Sequence, residues 1–244
     1  MEIIQPQLNV SDSYESMSIT AADALLERLS PVASPTVAVA SGDSPAGMYR
    51  NLVSTAQDSF DFSSWKFVGL DEWEGLNGSD EGSCRYHLDR QLFWPLQVKA
   101  SSMIFFDGRA KDPEAECRRT EAFIREAGGL DVAVIGLGLN GHVGMNEPGG
   151  LPGFAHVTEL AEQTRAVGQK YFSRATPLTR GLTLGLQTLL DSKTIFLLVS
   201  GEKKASVLAA LMQQDPDISL PVTMLKRHAD FRIFADAAAA SAIR

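Results

Sequence analysis

The sequence predicts an α/β fold: one Rossmann-like, three-layer domain with a mostly parallel central sheet and helices on both faces. Three observations carry this expectation. DVAVIGL (131–137) and TIFLLVS (194–200) are continuous apolar runs, the pattern of strands buried on both faces. Such runs alternate with segments of helical periodicity, which implies βαβ units and parallel strands. No repeat and no linker-like stretch divides the 244 residues, so the domain is expected to span 1–244.

The elements follow in order. Residues 11–30 place Met17, Ile19, Ala22, Leu25, Leu26 and Leu29 at helical spacing behind a Ser or Asp cap. TVAVA (36–40) reads as a strand, SGDSPAG (41–47) as a turn and MYRNLVSTA (48–56) as a helix. WKFVGLDEW (65–73) is the second strand, and YHLDRQLFWPL (86–96) is helical up to Pro95. SMIFF (102–106) is the third strand. PEAECRRTEAFIREAG (113–128) is a helix closed by Gly128 and Gly129. DVAVIGL is the fourth strand, LTLGLQTLL (182–190) a helix, TIFLLVS a strand, EKKASVLAALM (202–212) a helix and FRIFAD (231–236) the last strand.

Composition narrows the function. A net charge of −8 argues against nucleic acid or an anionic membrane as partner, although a few local cations would still suit a small anion. No apolar run has the length of a membrane span, and MEIIQPQLNVSDS lacks the basic end and apolar core of a signal peptide. Cys84 and Cys117 fit reduced thiols in a cytoplasmic protein, with Cys84 read as a small buried side chain.

Polar groups gather where strands end. After DVAVIGL comes GLGLNGHVGMNEPG (136–149), which meets G-x-G-x-x-G. Pro148, Gly149 and Gly150 follow too soon for the long helix a dinucleotide site needs. What remains is a titratable pair: His142 can exchange a proton near neutral pH, and Glu147 can orient it. Asp71 and Glu72 end the second strand, where partial burial would raise a carboxyl toward the range of a useful base. In SGDSPAG, Ser41, Gly42 and Ser44 offer hydroxyls and N–H groups to an anion, and Asp43, repulsive to a phosphate, is read as a cap for a helix starting near Ala46. Lys203 and Lys204 follow another strand, and Arg165 lies in QTRAVGQKYF (163–172). His87, His156 and His228 make no zinc-type spacing with His142, so no metal site is expected. These motifs alone describe an α/β enzyme acting on a small anionic substrate.

SGDSPAGMY, LDEW, GLGLNGHVGMNEPG, QTRAVGQKYF, LTLGLQTLL and LVSGEKKA fall in the order of the motifs of the glucosamine-6-phosphate deaminase/isomerase family, which the chain resembles from about Thr36 to the final strand. LDEW and the short stretch after Pro148 resemble the galactosamine-6-phosphate branch more than the glucosamine one. The resemblance implies conversion of glucosamine 6-phosphate or galactosamine 6-phosphate plus water to a ketohexose 6-phosphate plus ammonia, without metal or organic cofactor. It makes Asp71 the base at C2 and His142 the ring-opening acid/base, backed by Glu147 and Asn140. It assigns Ser41, Gly42, Ser44, Arg165 and Lys204 to the phosphate. Asn140 stands where many members carry Asp, which leaves Glu147 to supply the charge behind His142, and Asp43 departs from the small residue common at its position.

The rival readings are a 6-phosphogluconolactonase-type hydrolase, which needs no C2 base, and a non-catalytic sugar-phosphate-binding protein. About thirty residues precede the first expected strand, too few for a DNA-binding module. The expected partner is the amino-sugar phosphate alone, with no nucleic acid and no membrane; whether the chain forms a homo-oligomer is left open. Some family members are activated by an acetylated amino-sugar phosphate through basic residues soon after N-E-P. Residues 149–164 contain no Lys or Arg here, so no such activator site is expected.

Overall fold

The computed structural model describes residues 3–57, 61–150 and 152–243. Its strands, numbered along the chain, are β1 (Gln7–Ser11), β2 (Thr36–Val39), β3 (Lys66–Gly69), β4 (Asp71–Trp73), β5 (Met103–Ile104), β6 (Val132–Gly136), β7 (His156–Glu159), β8 (Arg180–Thr183), β9 (Ile195–Val199) and β10 (Phe231–Asp236). The α-helices are α1 (Tyr14–Leu29), α2 (Asp43–Gln57), α3 (Cys84–Leu88), α4 (Pro113–Glu126), α5 (Glu162–Gly168), α6 (Leu186–Leu190), α7 (Ala205–Gln213) and α8 (Ala237–Ala240). Seven strands form the central sheet in the order β1-β10-β9-β6-β2-β3-β5, and every pairing in it is parallel.

The continuous apolar runs have the two-sided burial they predict. In β6, Val132 and Val134 face one core, with Met17, Leu25 and Leu29 of α1 and Met48 and Leu52 of α2. Ala133 and Ile135 face the other, with Cys117 and Ile124 of α4, Leu189 of α6 and Leu208 and Leu211 of α7. The sheet is therefore covered on both sides, as parallel sheets are. Local signals set the helix ends. Ser13 caps α1 through a reciprocal bond with Ser16, Asp112 caps α4 ahead of Pro113, and Gly128 and Gly129 close α4 at φ of 89° and 97°.

The winding places the site. From β2 the chain runs to β3 and β5 on one side; β6, on the other side of β2, leads to β9 and β10. The direction reverses between β2 and β6, and open α/β sheets bind ligands outside the strand ends at such a switch point.

Four expectations change. WKFVGLDEW is not one strand. Leu70 joins two sheets: its N–H bonds to Val39 in the central sheet and its carbonyl accepts from Leu184 beside the small one. Asp71–Trp73 then pairs with β8 in an antiparallel sheet ordered β4-β8-β7. LTLGLQTLL is the end of β8 followed by a short helix, because Leu182 and Leu184 are buried at a spacing of two, and Gly185 is extended before α6 begins. YHLDRQLFWPL is α3 running into a π-helical turn at Asp89–Phe93. A strand, β1, precedes the N-terminal helix. It lies at the sheet edge with alternately exposed polar residues, so no apolar run announces it.

Candidate active site

One cavity opens at the switch point, lined by the loops after β2, β3, β6 and β9 and by α5. Ser41, Gly42, Ser44, Asp71, Asn140, His142 and Lys204 all line it. Glu147 stands behind His142, buried at 7 % exposure.

Strand alternation orients the LDEW carboxylates. Asp71 and Trp73 face the cavity and Glu72 points away from it. Burial pushes the Asp71 carboxyl up to about 6, against a hydrogen bond with the Cys84 thiol that pulls it down. Cys84 is thus buried, as expected, but it also lines the cavity against Asp71, and its own thiol is raised by burial and by the Asp71 charge. Glu72 is fully buried and accepts four hydrogen bonds: from the backbone N–H groups of Trp73 (2.9 Å), Cys84 (3.0 Å) and Arg85 (3.2 Å) and from the Ser83 hydroxyl (2.5 Å). Burial nonetheless carries its carboxyl up to about 7. Glu72 ties β4 to the start of α3, and so sets Cys84 beside Asp71.

The glycines of GLGLNGH make a turn rather than a phosphate loop. The Gly138 N–H bonds to the His142 carbonyl at 2.9 Å, and a Cβ on Gly138 would fall 2.4 Å from the imidazole ring. Gly141 closes the turn at φ +84°. The loop thereby presents the ring of His142 to the cavity with its Nδ1 turned inward. Nδ1 lies 3.1 Å from the Thr164 hydroxyl and 3.7 Å from Glu147 Oε2. The Asn140 amide donates to the same Oε2 at 2.8 Å, while its carbonyl accepts from the His142 N–H at 3.2 Å. Burial lowers the His142 pKa below its ordinary 6.5, Glu147 opposes this and Lys204 adds to it. The imidazole is therefore neutral at pH 7.

At the other end lie the groups expected to bind the anion. The hydroxyls of Ser44 and Ser200 meet at 2.8 Å, joining the loops after β2 and β9. Lys204 donates to the Leu137 carbonyl, and burial pulls its ammonium down to about 8. Asp43 is not a cap for a later helix, because α2 already begins there. Its exposed carboxylate takes the Lys170 ammonium instead. Of the expected site residues, Glu147 lies behind the cavity wall and Arg165 stays away from the cavity altogether. On α5, Gln163, Thr164, Val167 and Gly168 face the cavity, and Arg165 is exposed on the opposite arc of the helix. Lys170, just beyond α5, is the cation that the segment brings to the cavity. Thr164 and Lys170 were both within QTRAVGQKYF, but that segment's helical phase is not readable from so short a stretch.

Among the described residues, no cluster of His, Cys, Asp and Glu could hold a metal ion, and no described helix is long and apolar enough to cross a membrane. Both cysteines are buried and unpaired.

A family model described as glucosamine-6-phosphate isomerases/6-phosphogluconolactonase matches residues 11–233. The glucosamine-6-phosphate deaminase of Shouchella clausii is 35 % identical over 232 residues, covering 94 % of each chain. A solved structure of a monomeric glucosamine-6-phosphate deaminase superposes with a TM-score of 0.93 at 33 % identity, over 97 % of this chain and 99 % of that one. The 6-phosphogluconolactonase of Trypanosoma brucei shares the fold, with a TM-score of 0.77 at 17 % identity over 98 % of both chains.

Proposed function

The chain belongs to the glucosamine-6-phosphate isomerase/6-phosphogluconolactonase family, and from that premise we propose that it is a deaminase of glucosamine 6-phosphate. The observation that carries the reading is Asp71. A lactonase needs no base at C2, and here a carboxylate suited to that task is buried at 9 % exposure, raised to about 6 and placed in the same cavity as a neutral imidazole. The relatives at 33–35 % identity named as deaminases support the choice of reaction; the lactonase likeness, at 17 %, supports the fold alone.

The proposed sequence is as follows. The sugar phosphate docks on Ser41, Gly42, Ser44, Lys204 and Lys170, with the N-terminus of α2 behind them. His142 moves a proton from the anomeric hydroxyl to the ring oxygen, which opens the pyranose. Asp71 then takes the C2 proton and returns it to C1 while a proton passes from the amino group to O1, leaving an imine at C2. Water adds to that imine and ammonia leaves, so the balance is amino-hexose phosphate plus water to ketohexose phosphate plus ammonia. The phosphate does not react; it orients the C1–C2 face against Asp71. The buried, unpaired thiols suit a reducing cytoplasm.

The test follows ammonia and acid release from glucosamine 6-phosphate, galactosamine 6-phosphate and 6-phosphogluconolactone. Ammonia from the gluco substrate is expected. A preference for the galacto substrate moves the assignment to the other branch, and acid release from the lactone alone overturns the deaminase reading.

A further inference from the structure

Glu147 is the residue that charge alone would place behind His142. The geometry gives that place to another side chain. Glu147 Oε2 is 3.7 Å from Nδ1, beyond a hydrogen bond, and is already engaged by the Asn140 amide at 2.8 Å. Its Oε1 accepts the Ala161 N–H at 3.2 Å. The group within hydrogen-bond reach of Nδ1 is the Thr164 hydroxyl, at 3.1 Å. Thr164 is 6 % exposed, and among the described residues this is the hydroxyl's one hydrogen bond.

We propose that Thr164 is the positioning residue of His142, holding its imidazole so that either ring nitrogen can carry the proton. Donor and acceptor capacity separates a hydroxyl from a carboxylate at Nδ1. A carboxylate bonded to Nδ1 can only accept, so it fixes the proton there. A hydroxyl accepts from Nδ1–H while Nε2 is bare and able to act as a base, still accepts once Nε2 is protonated and the ring is an imidazolium, and donates to Nδ1 in the other neutral tautomer. In ring opening Nε2 takes the anomeric proton, the imidazolium so formed keeps its Nδ1–H on the Thr164 hydroxyl, and the Nε2 proton passes to the ring oxygen, which restores the starting tautomer. Glu147 then works at a distance through its charge, opposed by the charge of Lys204. Asn140 holds Glu147 back by satisfying its inner oxygen; an aspartate at 140 would have no N–H to do so.

The proposal rests on the deaminase reading, and its test separates the two. Ring-nitrogen NMR of the unliganded protein reports the tautomer of His142 without any substrate; His142→Gln identifies the signal among the four histidines. Wild type is expected to show a mixture of tautomers, Thr164→Ser to keep it, and Thr164→Val to collapse it to one. In turnover, Thr164→Val is expected to lower kcat roughly 10–100-fold, part of the usual acid–base contribution, with KM within about threefold, and Thr164→Ser to restore it. Should valine unfold the chain, Thr164→Ala carries the same expectation. Wild-type ring signals in Thr164→Val, or a serine variant as impaired as the valine one, would overturn the proposal. A wild-type protein that releases no ammonia sinks the deaminase reading and leaves the NMR comparison standing.

Discussion

Removing the base should stabilise the protein. The Asp71 carboxyl sits at about 6 in the fold against an ordinary 3.8, and burial is the main cause. An unfolded chain ionises this group near 3.8, so the fold opposes its ionisation. The sign follows: below pH 3.8 the group is neutral in both states and costs nothing. As pH rises from 3.8 to about 6 the unfolded state gains a charge that the folded state resists, and stability falls; above that window the loss is constant. At 1.36 kcal/mol per pH unit, the separation amounts to roughly 3 kcal/mol, and by pH 5 about half of it has accrued. Asp71→Asn has no charge to bury. It forgoes part of the hydrogen bond with Cys84, so the expected net gain at pH 8 is about 1–3 kcal/mol, or roughly 3–10 °C in Tm for a chain of this size.

The assay is thermal unfolding of wild type and Asp71→Asn at pH 5 and pH 8, alongside ammonia release. The variant is expected to be inactive at both pH values, more stable at pH 8, and to lose about half its advantage at pH 5. Glu72 is present in both proteins and cancels in the comparison. A variant no more stable than wild type at pH 8, or an advantage that grows as pH falls, would refute the view that Asp71 is held ionised against its surroundings.

Further outcomes follow from the same geometry. The pH profile of kcat/KM should rise through about 6, as Asp71 loses its proton, and fall above about 8, as Lys204 loses its charge; a flat profile between pH 6 and 9 would break both assignments. Lys170→Gln should raise KM ~10-fold or more, the effect of one charge-assisted bond, while Arg165→Gln stays within about twofold; the reverse ranking would return the phosphate cation to Arg165. Saturation by glucosamine 6-phosphate should be hyperbolic with and without its N-acetylated form, because residues 149–164, of which Leu151 lies outside the described residues, bring no lysine or arginine. A sigmoidal curve that the acetylated sugar straightens would show that the cations come from another segment.

Fold class was legible because buried parallel strands leave an unambiguous mark. VAVIGL (132–137) and IFLLV (195–199) are apolar at every position, the mark of strands buried on both faces. The small antiparallel sheet was not legible for the same reason reversed. Its strands are short, and β4 follows Leu70 with no turn residue to mark the change of sheet. Arg165 illustrates a different limit. A seven-residue helix holds under two turns, so its sequence does not say which arc faces inward. Thr164 was silent because a threonine beside an arginine carries no chemistry until a histidine 22 residues away is folded against it.

Asn140 and Asp43 act on one electrostatic problem. In the proposed reaction a protein of net charge −8 holds a dianion beside a carboxylate base. Asn140 keeps the loop after β6 to one carboxylate, Glu147, so less negative charge faces the substrate and the imidazole stays neutral. Asp43 adds negative charge, but its side chain is 75 % exposed, where water screens it, and it holds Lys170 at the cavity mouth. Lys204, half-buried and pulled down to about 8, would otherwise be the one ammonium among the described cavity residues to meet the proposed phosphate. Two lysines set against a doubly charged phosphate restore the balance, and the cost of Asp43's charge falls mostly on solvent rather than on the ligand.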